Sequence, residues 1–247
     1  MGAAPRARAR PGVRGLATLL ELQAATRFEL DAAGRIVREG APDLGVAPRL
    51  WLAGSAEGNA LRLRNDVPDD VAAAVEALAA GEPALAERDS LPACLGELSA
   101  LLDGEPTRGL TYVVGDVIRE PRGELARSGT AAGRELLERG LPEPFAGLGF
   151  RDEDELWPPW CVALDGGEPV SICFSARLSS VGAEAGVFTV PAARGRGFAA
   201  AATAGWASSA ALGSRVRFYS AELGNVSSQR VAERLGLRLV GPAVEIR

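Results

Sequence analysis

Histidine and lysine are absent from this sequence of 247 residues, and all 27 of its basic residues are arginine. The absence of histidine excludes a Ser-His-Asp triad, a Cys-His dyad and any histidine-ligated metal site. The absence of lysine excludes a P-loop lysine, a Schiff-base lysine and a lysine general base. Any chemistry must therefore use carboxylates, hydroxyls, thiols, guanidinium groups and the backbone.

Cysteine is also scarce, with Cys94, Cys161 and Cys173 as its three occurrences and no CxxC spacing. This pattern indicates neither a zinc site nor a redox pair, so we expect no metal. Cys161 and Cys173 lie on two predicted strands of one hairpin, where they could face each other. We expect buried free thiols rather than a disulfide, because free cysteine usually packs as a small hydrophobic residue.

Strong charge and long apolar runs are missing as well. The net charge of -5 does not favour a nucleic-acid partner, and it is too mild to select a cationic ligand. No run approaches the roughly 20 apolar residues that a membrane helix needs, so we expect no membrane partner. Residues 1–15 are predicted to be a basic disordered arm. The apolar stretch after them, "LATLLELQAA", is short and contains Glu21, so it is a poor signal peptide. These observations favour a cytoplasmic protein.

Residues 16–125 are predicted to form a small α+β region whose role the sequence does not define. Amphipathic patterns predict helices near residues 16–25, 68–81 and 92–102, with strands in "TRFELDAAGRIV", "RLWLAG", "NALRLR" and "LTYVVGDVI". Residues 119–130 are polar and contain glycine and arginine, which is typical of a linker. This N-terminal region has three alternative roles. It could cover an acceptor site, form a homodimer or be a decayed second copy of the fold.

Residues 126–247 have a different pattern, beginning with a helix in "AAGRELLER". The segment "WCVALDGGEPVSICFSARL" predicts a hairpin around an Asp-Gly-Gly turn, because such turns need positive φ angles. Three strands and two helices then alternate, which gives the order β-β-β-α-β-α-β before the C-terminus. We therefore predict an α/β protein with a mixed sheet in its C-terminal half, preceded by the smaller N-terminal region.

The stretch "VFTVPAARGRGFAAAATAGWA" predicts a strand, a short basic turn and a helix that begins at once. A helix N-terminus exposes unpaired backbone N–H groups and carries partial positive charge, and glycines before it let those groups converge on an anion. This segment therefore predicts a pyrophosphate site, although a charged turn without a ligand is the alternative. The residues of the predicted site are Arg194, Gly195, Arg196, Gly197, Phe198 and Ala199.

A second motif, "ELGNVSSQRVAERLGLRLVG", follows one strand later. Together the two motifs resemble the GNAT superfamily of N-acetyltransferases over about residues 145–247. Arg194, Gly197 and Ala199 match that family's acetyl-CoA loop of the form Arg/Gln-x-x-Gly-x-Gly/Ala. Asn225 and Ser228, with "LGL" at residues 235–237, match its later element. The resemblance implies the GNAT acyl-CoA N-acyltransferase fold, with acetyl-CoA as co-substrate.

The resemblance also implies roles for individual residues. Backbone groups of Phe188 and Val190 are expected to pair with the pantetheine amides. Glu184 is the candidate general base, and a solvated strand-end glutamate is the alternative interpretation. Many relatives carry a tyrosine, as general acid, where this chain has Ala232. Ser228, Tyr219 or a water molecule would substitute for it, or no acid is needed.

Asn225 is expected either to reach the cofactor arm or to cap the following helix, and Ser228 is similar. The predicted function is transfer of an acetyl group from acetyl-CoA to a primary amine of a small molecule or peptide, by direct attack. A catalytically silent acyl-CoA-binding sensor is the alternative. The acceptor, the acyl chain length and the oligomeric state cannot be read from the sequence.

Overall fold

The computed structural model describes residues 14–115, 123–140, 145 and 156–247. Nearly all of the predicted basic arm lies outside these residues. The described helices are α1 (Leu16–Arg27), α2 (Asp69–Ala80), α3 (Leu95–Leu102), α4 (Ala131–Glu138), α5 (Phe198–Ala207) and α6 (Val226–Leu235). None of the helices in these described ranges has the length and apolar character needed to cross a membrane.

The described strands lie between these helices, and all of them except β6 were predicted from the sequence. They are β1 (Phe28–Leu30), β2 (Ile36–Glu39), β3 (Leu50–Ser55), β4 (Gly58–Leu63), β5 (Pro106–Val113), β6 (Glu124–Arg127), β7 (Trp160–Asp165), β8 (Glu168–Leu178), β9 (Gly182–Thr189), β10 (Val216–Glu222) and β11 (Arg238–Ile246). β1 and β2 form a separate hairpin, as "TRFELDAAGRIV" predicts.

The other nine strands form one mixed sheet in the order β4-β3-β11-β5-β10-β9-β8-β7-β6. β9 and β10 run parallel, which the intervening helix α5 requires, while the hairpins around them are antiparallel. The mixed α/β sheet predicted from the sequence is confirmed. It extends further than predicted, because strands from the N-terminal region belong to it.

The N-terminal region completes this sheet. β5 lies between β10 and β11 and is antiparallel to both, so it fills a central position. α1 packs on one face of the sheet through a core that includes Leu20, Trp51 and Phe218. The predicted linker, residues 119–130, contains β6 and is not wholly irregular. The predicted division at residue 126 falls within that strand and stays a prediction.

The two faces of the sheet have separate cores. α5 packs its alanine-rich surface and Trp206 against Ala183, Ala185 and Tyr219. Because side chains alternate along a strand, Glu184 of β9 points to the opposite face, where α1 lies. Small residues on α5 permit this close packing, since a side chain at Gly205 would collide with the sulfur of Cys161.

Cys161 and Cys173 are directly opposite each other across the β7–β8 hairpin. Both are fully buried free thiols, and Cys94 is a buried free thiol as well. The prediction of free thiols is therefore confirmed. Burial raises the pKa of the Cys161 thiol to about 11 and also raises the pKa of Cys173, so both sulfurs stay protonated at neutral pH.

Candidate active site

A cleft of about 460 Å³ lies where the C-terminal end of β9 meets the N-termini of α5 and α6. It contains most of the residues that the two sequence motifs selected. The predicted residues that line it are Phe188, Arg194, Gly195, Gly197, Phe198, Ala199, Tyr219, Asn225 and Ser228. The structure thus brings the turn before α5 and the start of α6 to one cavity, which we call the motif cleft.

The turn before α5 has the backbone geometry of an anion site. Gly195 and Gly197 have φ angles of 76° and 96°, in the left-handed region that glycine adopts without strain. Gly197 is the N-cap of α5, and no side chain caps that helix. Its first N–H groups therefore remain available to a negatively charged ligand in the cleft.

Two arginines missed by the sequence prediction reach this turn from α6. Arg230 and Arg234 line the motif cleft, together with the predicted Arg194. A Cβ atom added at Gly197 would lie 2.8 Å from Nη1 of Arg234, so that guanidinium sits directly against the turn. The two residues are four apart in "SSQRVAERL", and this spacing places both on one helix face.

Arg196, in contrast, does not line the motif cleft. Its Nη1 atom is 2.7 Å from Oδ2 of Asp165, which ends β7, and its guanidinium also packs over the ring of Phe198. The structure therefore does not bring Arg196 into the motif cleft with Arg194, and its predicted role in holding phosphate stays a prediction. The sequence could not indicate this pair, since the two residues are distant in the chain.

The backbone groups on the open edge of β9 do not belong to the predicted residues, Phe188 and Val190. The N–H of Val190 donates to the carbonyl of Val170, and the carbonyl of Phe188 accepts from Oγ of Ser171, so both residues use their backbone towards β8. Alternation leaves the backbone of Val187 and Thr189 facing the side of β10. The prediction for Phe188 and Val190 is corrected accordingly.

This edge is free because β9 and β10 separate. Their pairing extends from Gly182 with Val216 to Ala185 with Tyr219. β9 continues beyond that point to Thr189, whose carbonyl accepts from Nε of Arg194 at 3.3 Å. Apart from this carbonyl, the backbone groups of residues 187–189 that face the separation are suited to hydrogen-bond the amides of an extended ligand.

Tyr219 lies at the point of separation and lines the motif cleft. Its phenol donates to the carbonyl of Ser228 at 3.2 Å, and its ring packs edge-on against Tyr112. Burial raises the pKa of Tyr219 to about 12, so the phenol stays protonated at neutral pH. Ala232 of α6 belongs to the same buried core cluster as Tyr219. The position on α6 at which the GNAT resemblance leads us to expect a tyrosine thus has only a methyl group, whereas Tyr219 comes from β10.

Asn225 caps α6, because its Oδ1 accepts from the N–H of Ser228 at 3.0 Å. The capping interpretation of Asn225 is thus confirmed. Asn225 and Ser228 also line the motif cleft, so capping and ligand contact do not exclude each other here.

Glu184 is not in the motif cleft, and the structure does not bring it together with Tyr219 and Ser228. It lies on the α1 face of the sheet, with its Oε1 3.9 Å from Nε of Arg27. Arg27 also binds Glu245. Burial by itself lowers the pKa of Arg27, but the carboxylates of Glu245, Glu184 and Glu39 together raise it above its ordinary value. The proposed role of Glu184 as base stays a prediction.

The C-terminal part of the chain, which contains both motifs, is similar to a known protein family. Residues 161–243 match the model of the GNAT acetyltransferase family. No curated protein matches. Among the residues that the structure describes, no cluster of three or more cysteines and carboxylates has a metal-binding arrangement.

Several solved structures are similar to this chain at low identity. An acetyltransferase from the GNAT family of Colwellia psychrerythraea is 16% identical, with 95% of this chain and 97% of that chain covered and a TM-score of 0.45. A GCN5-related N-acetyltransferase from Kribbella flavida is 19% identical, with 93% and 92% covered and a TM-score of 0.44.

A putative GNAT acetyltransferase from Novosphingobium aromaticivorans is 20% identical, with 57% of this chain covered and a TM-score of 0.42. This chain covers 64% of that protein. The family assignment comes from the match at residues 161–243, which contains both motifs and most of the motif cleft. The resemblance to the GNAT superfamily that the two motifs indicated is therefore confirmed for residues 161–243.

Proposed function

We propose that this protein transfers an acetyl group from acetyl-CoA to a primary amine by direct attack of the amine on the thioester. The observation that carries the proposal is the motif cleft itself. In it, the left-handed glycines before α5 and the guanidiniums of Arg194, Arg230 and Arg234 surround one helix N-terminus. This set of donors suits a pyrophosphate.

The residues of the cleft fit the remaining parts of acetyl-CoA in chemistry. The separated edge of β9, at Val187 and Thr189, supplies backbone donors and acceptors for the amides of the pantetheine arm. The arm then leads towards Tyr219, where β9 and β10 part. Donors at that point would stabilise the developing charge on the thioester oxygen, and a protonated phenol would supply a proton to the leaving thiolate.

Direct attack is favoured over a covalent intermediate. Cys161 and Cys173 are fully buried, their pKa values are raised, and the sequence has no histidine to activate either thiol. Thiols in such surroundings are inert as nucleophiles. The amine itself must therefore attack, after losing a proton to a base such as Glu184 or to solvent.

The experiment that tests the proposal has two steps on one sample. Calorimetry measures acetyl-CoA binding, and release of free thiol is then followed with a panel of primary amines. Amine-dependent thiol release supports the transferase. An absence of acetyl-CoA binding would contradict the assignment of the motif cleft.

A silent acyl-CoA sensor is the second candidate, and Ala232 is the observation that favours it. The missing helix tyrosine removes the usual proton donor, and the Tyr219 phenol already donates to the carbonyl of Ser228. Under this alternative, acetyl-CoA binds in calorimetry but no amine of the panel releases thiol.

Tyr219→Phe is expected to lower kcat by about 10- to 100-fold, since a positioned general acid contributes on the order of 10²–10⁴ and water replaces part of it. The KM for acetyl-CoA should change by less than about twofold. Because the pKa of Tyr219 is raised to about 12, its proton is present throughout the neutral range. The pH profile of kcat should therefore show no tyrosine ionisation below pH 10.

Tyr112→Phe is the matched control, because Tyr112 packs edge-on against Tyr219 but does not line the motif cleft. Equal kcat values for the wild type and Tyr219→Phe would remove the phenol from the reaction. Equal losses in both variants would indicate a packing effect.

Glu184→Gln is expected to lower kcat more than it weakens acetyl-CoA binding, because Glu184 lies across the sheet from the motif cleft. The loss should shrink as pH rises, since the amine then loses its proton without help. Glu39→Gln removes another carboxylate of the same ion-pair cluster and serves as control. Identical pH–rate profiles for the wild type and Glu184→Gln would exclude Glu184 as the base.

A further inference from the structure

The loop between α2 and α3, residues 81–94, reaches from the N-terminal region to α6, and we call it the α2–α3 loop. Nη2 of Arg88 in this loop donates to Oε1 of Gln229, which lies on α6. Arg230 and Arg234 of the same helix line the motif cleft. This hydrogen bond therefore joins the N-terminal region to a helix that forms part of the cleft.

Gln229 ties α6 to the end of β10. Its Nε2 atom donates to the carbonyls of Glu222 and Leu223, at 3.2 and 2.6 Å. Glu222 is the last residue of β10, and the turn after it leads to Asn225, the N-cap of α6. The amide of Gln229 thus fixes where the helix begins relative to the sheet.

Arg88 supplies the donor that the amide of Gln229 needs on its other side. A primary amide has two N–H donors and one acceptor oxygen, and here both donors serve the turn after β10. Gln229 is only 6% exposed, so an oxygen without a donor would cost free energy. Turning the amide over would place that oxygen against two carbonyl oxygens. Arg88 therefore stabilises the one orientation of the amide that holds the turn.

α6 depends on such contacts because little of it is buried. It has ten residues, and those that are buried are Gln229 and Ala232. Val231 is partly buried against the same core as Ala232. An isolated helix of this length is marginally stable in water, so contacts with the rest of the protein must hold it in place. Gln229 provides the polar part of these contacts.

The α2–α3 loop is itself held by the N-terminal region. Leu85 is buried in the core beneath α2 and α3, and its N–H donates to Oδ1 of Asn59 at 2.9 Å. Nδ2 of Asn59 donates to the carbonyl of Pro83, also at 2.9 Å. The carboxylate of Glu82 accepts from two backbone N–H groups at the far end of the loop. Arg88 therefore extends to α6 from a loop whose position does not depend on α6.

From these contacts we propose that Arg88 is a positioning residue for acetyl-CoA: through Gln229 it holds α6 against the motif cleft. Arg230 and Arg234 are then already in place for the phosphates, so the ligand does not have to order them. This inference rests on the proposed function, because it takes acetyl-CoA as the ligand. It also gives the N-terminal region a role, which is to support the cleft from outside.

Arg88→Met is expected to weaken acetyl-CoA binding about fivefold in calorimetry, because the ligand must then order α6 itself. Affinity for acetyl-pantetheine, which lacks the phosphates, should stay unchanged. A general loss of folding would weaken the binding of both ligands, so their ratio separates positioning from stability. Arg88→Lys should restore most of the affinity for acetyl-CoA, since an ammonium group can still donate to Oε1 of Gln229.

Arg108→Met is the matched control for the loss of one positive charge. Nη2 of Arg108 lies 3.5 Å from the carbonyl of Asp89 in the same loop, and Arg108 does not line the motif cleft. We expect its affinity for acetyl-CoA to change by less than about twofold. An equal loss in Arg108→Met and Arg88→Met would indicate a long-range effect of charge and would overturn the positioning role.

A double-mutant cycle tests whether Arg88 acts through Gln229. Gln229→Ala should bind acetyl-CoA at least as weakly as Arg88→Met, because the turn after β10 then loses its side-chain donors. Adding Arg88→Met to Gln229→Ala should cause no further loss, since the residue through which Arg88 acts is already absent. A further loss as large as that in the wild type would overturn the inference.

Hydrogen exchange at residues 222–235 without ligand separates this inference from the proposed function. We expect faster exchange in Arg88→Met than in the wild type, and wild-type rates in Arg88→Lys. If the wild type does not bind acetyl-CoA, the proposed function fails, while faster exchange in Arg88→Met still supports the hold of Arg88 on α6. Equal exchange in the wild type and Arg88→Met overturns the inference even when acetyl-CoA binds.

Discussion

The double variant Arg194→Ala/Arg234→Ala is expected to bind acetyl-CoA about 100-fold more weakly than the wild type. A hydrogen bond to a charged group contributes about 1.5–3 kcal/mol, and each factor of ten in affinity corresponds to about 1.4 kcal/mol. Both guanidiniums line the motif cleft on either side of the turn before α5, and both are solvent-exposed. Exposure therefore places the expected loss at the lower end of that range.

Arg196→Ala is the matched control for this experiment. Its guanidinium is 2.7 Å from Asp165 and outside the cleft, so its removal should change the affinity by less than about threefold. A second control uses acetyl-pantetheine, which lacks the phosphates, because its binding should be equal in the wild type and the double variant. A double variant with wild-type affinity for acetyl-CoA would contradict the pyrophosphate site.

Arg27→Met is expected to lower the free energy of unfolding by about 3–5 kcal/mol at pH 8, because it leaves the carboxylates of Glu184 and Glu245 buried without their shared partner. Arg27 binds Glu245 and lies 3.9 Å from Glu184, and the three side chains are only 11–13% exposed. Arg247 also binds Glu245, so the charge of Glu245 stays partly compensated in the variant.

The loss of stability in Arg27→Met should depend on pH. Burial by itself raises the pKa of Glu245, but Arg27 and Arg247 together hold it below its ordinary value of 4.5. In the wild type this carboxylate therefore stabilises the fold above about pH 4.5, and the contribution is lost as pH falls through the lower folded value. In Arg27→Met burial prevails, the pKa of Glu245 rises, and the deficit should be smaller at pH 5 than at pH 8.

Urea denaturation at both pH values measures this effect. Arg38→Met is the control, since Arg38 forms an exposed pair with Glu29 and should contribute at most about 1 kcal/mol. A deficit in Arg27→Met that equals the control, or that grows towards pH 5, would contradict the assignment of the ion-pair cluster.

The position of β5 joins the N-terminal half of the chain to the sheet that carries the motif cleft. β5 lies between β10 and β11, and α1 packs on one face of the same sheet. The motif cleft itself is built from the C-terminal half alone.

The sequence by itself determined the local elements and the chemistry that is excluded. The order of strands and helices after residue 160, the glycine turn before α5 and the cap of α6 depend on neighbouring residues, so short patterns predicted them correctly. The absence of histidine and lysine alone excluded whole classes of mechanism, because no fold can supply a side chain that the chain does not contain.

Only the tertiary structure decided which charges meet and which edge of β9 is open. Asp165 pairs with Arg196 outside the cleft, Arg234 of α6 lies against the glycine turn, and Arg27 of α1 reaches Glu184 on the face of the sheet that α1 covers. The backbone of Thr189, not that of Val190, faces the separation because β8 fixes the register of β9. These relations join residues distant in the chain, and they follow from sheet register and charge pairing, which no local pattern encodes.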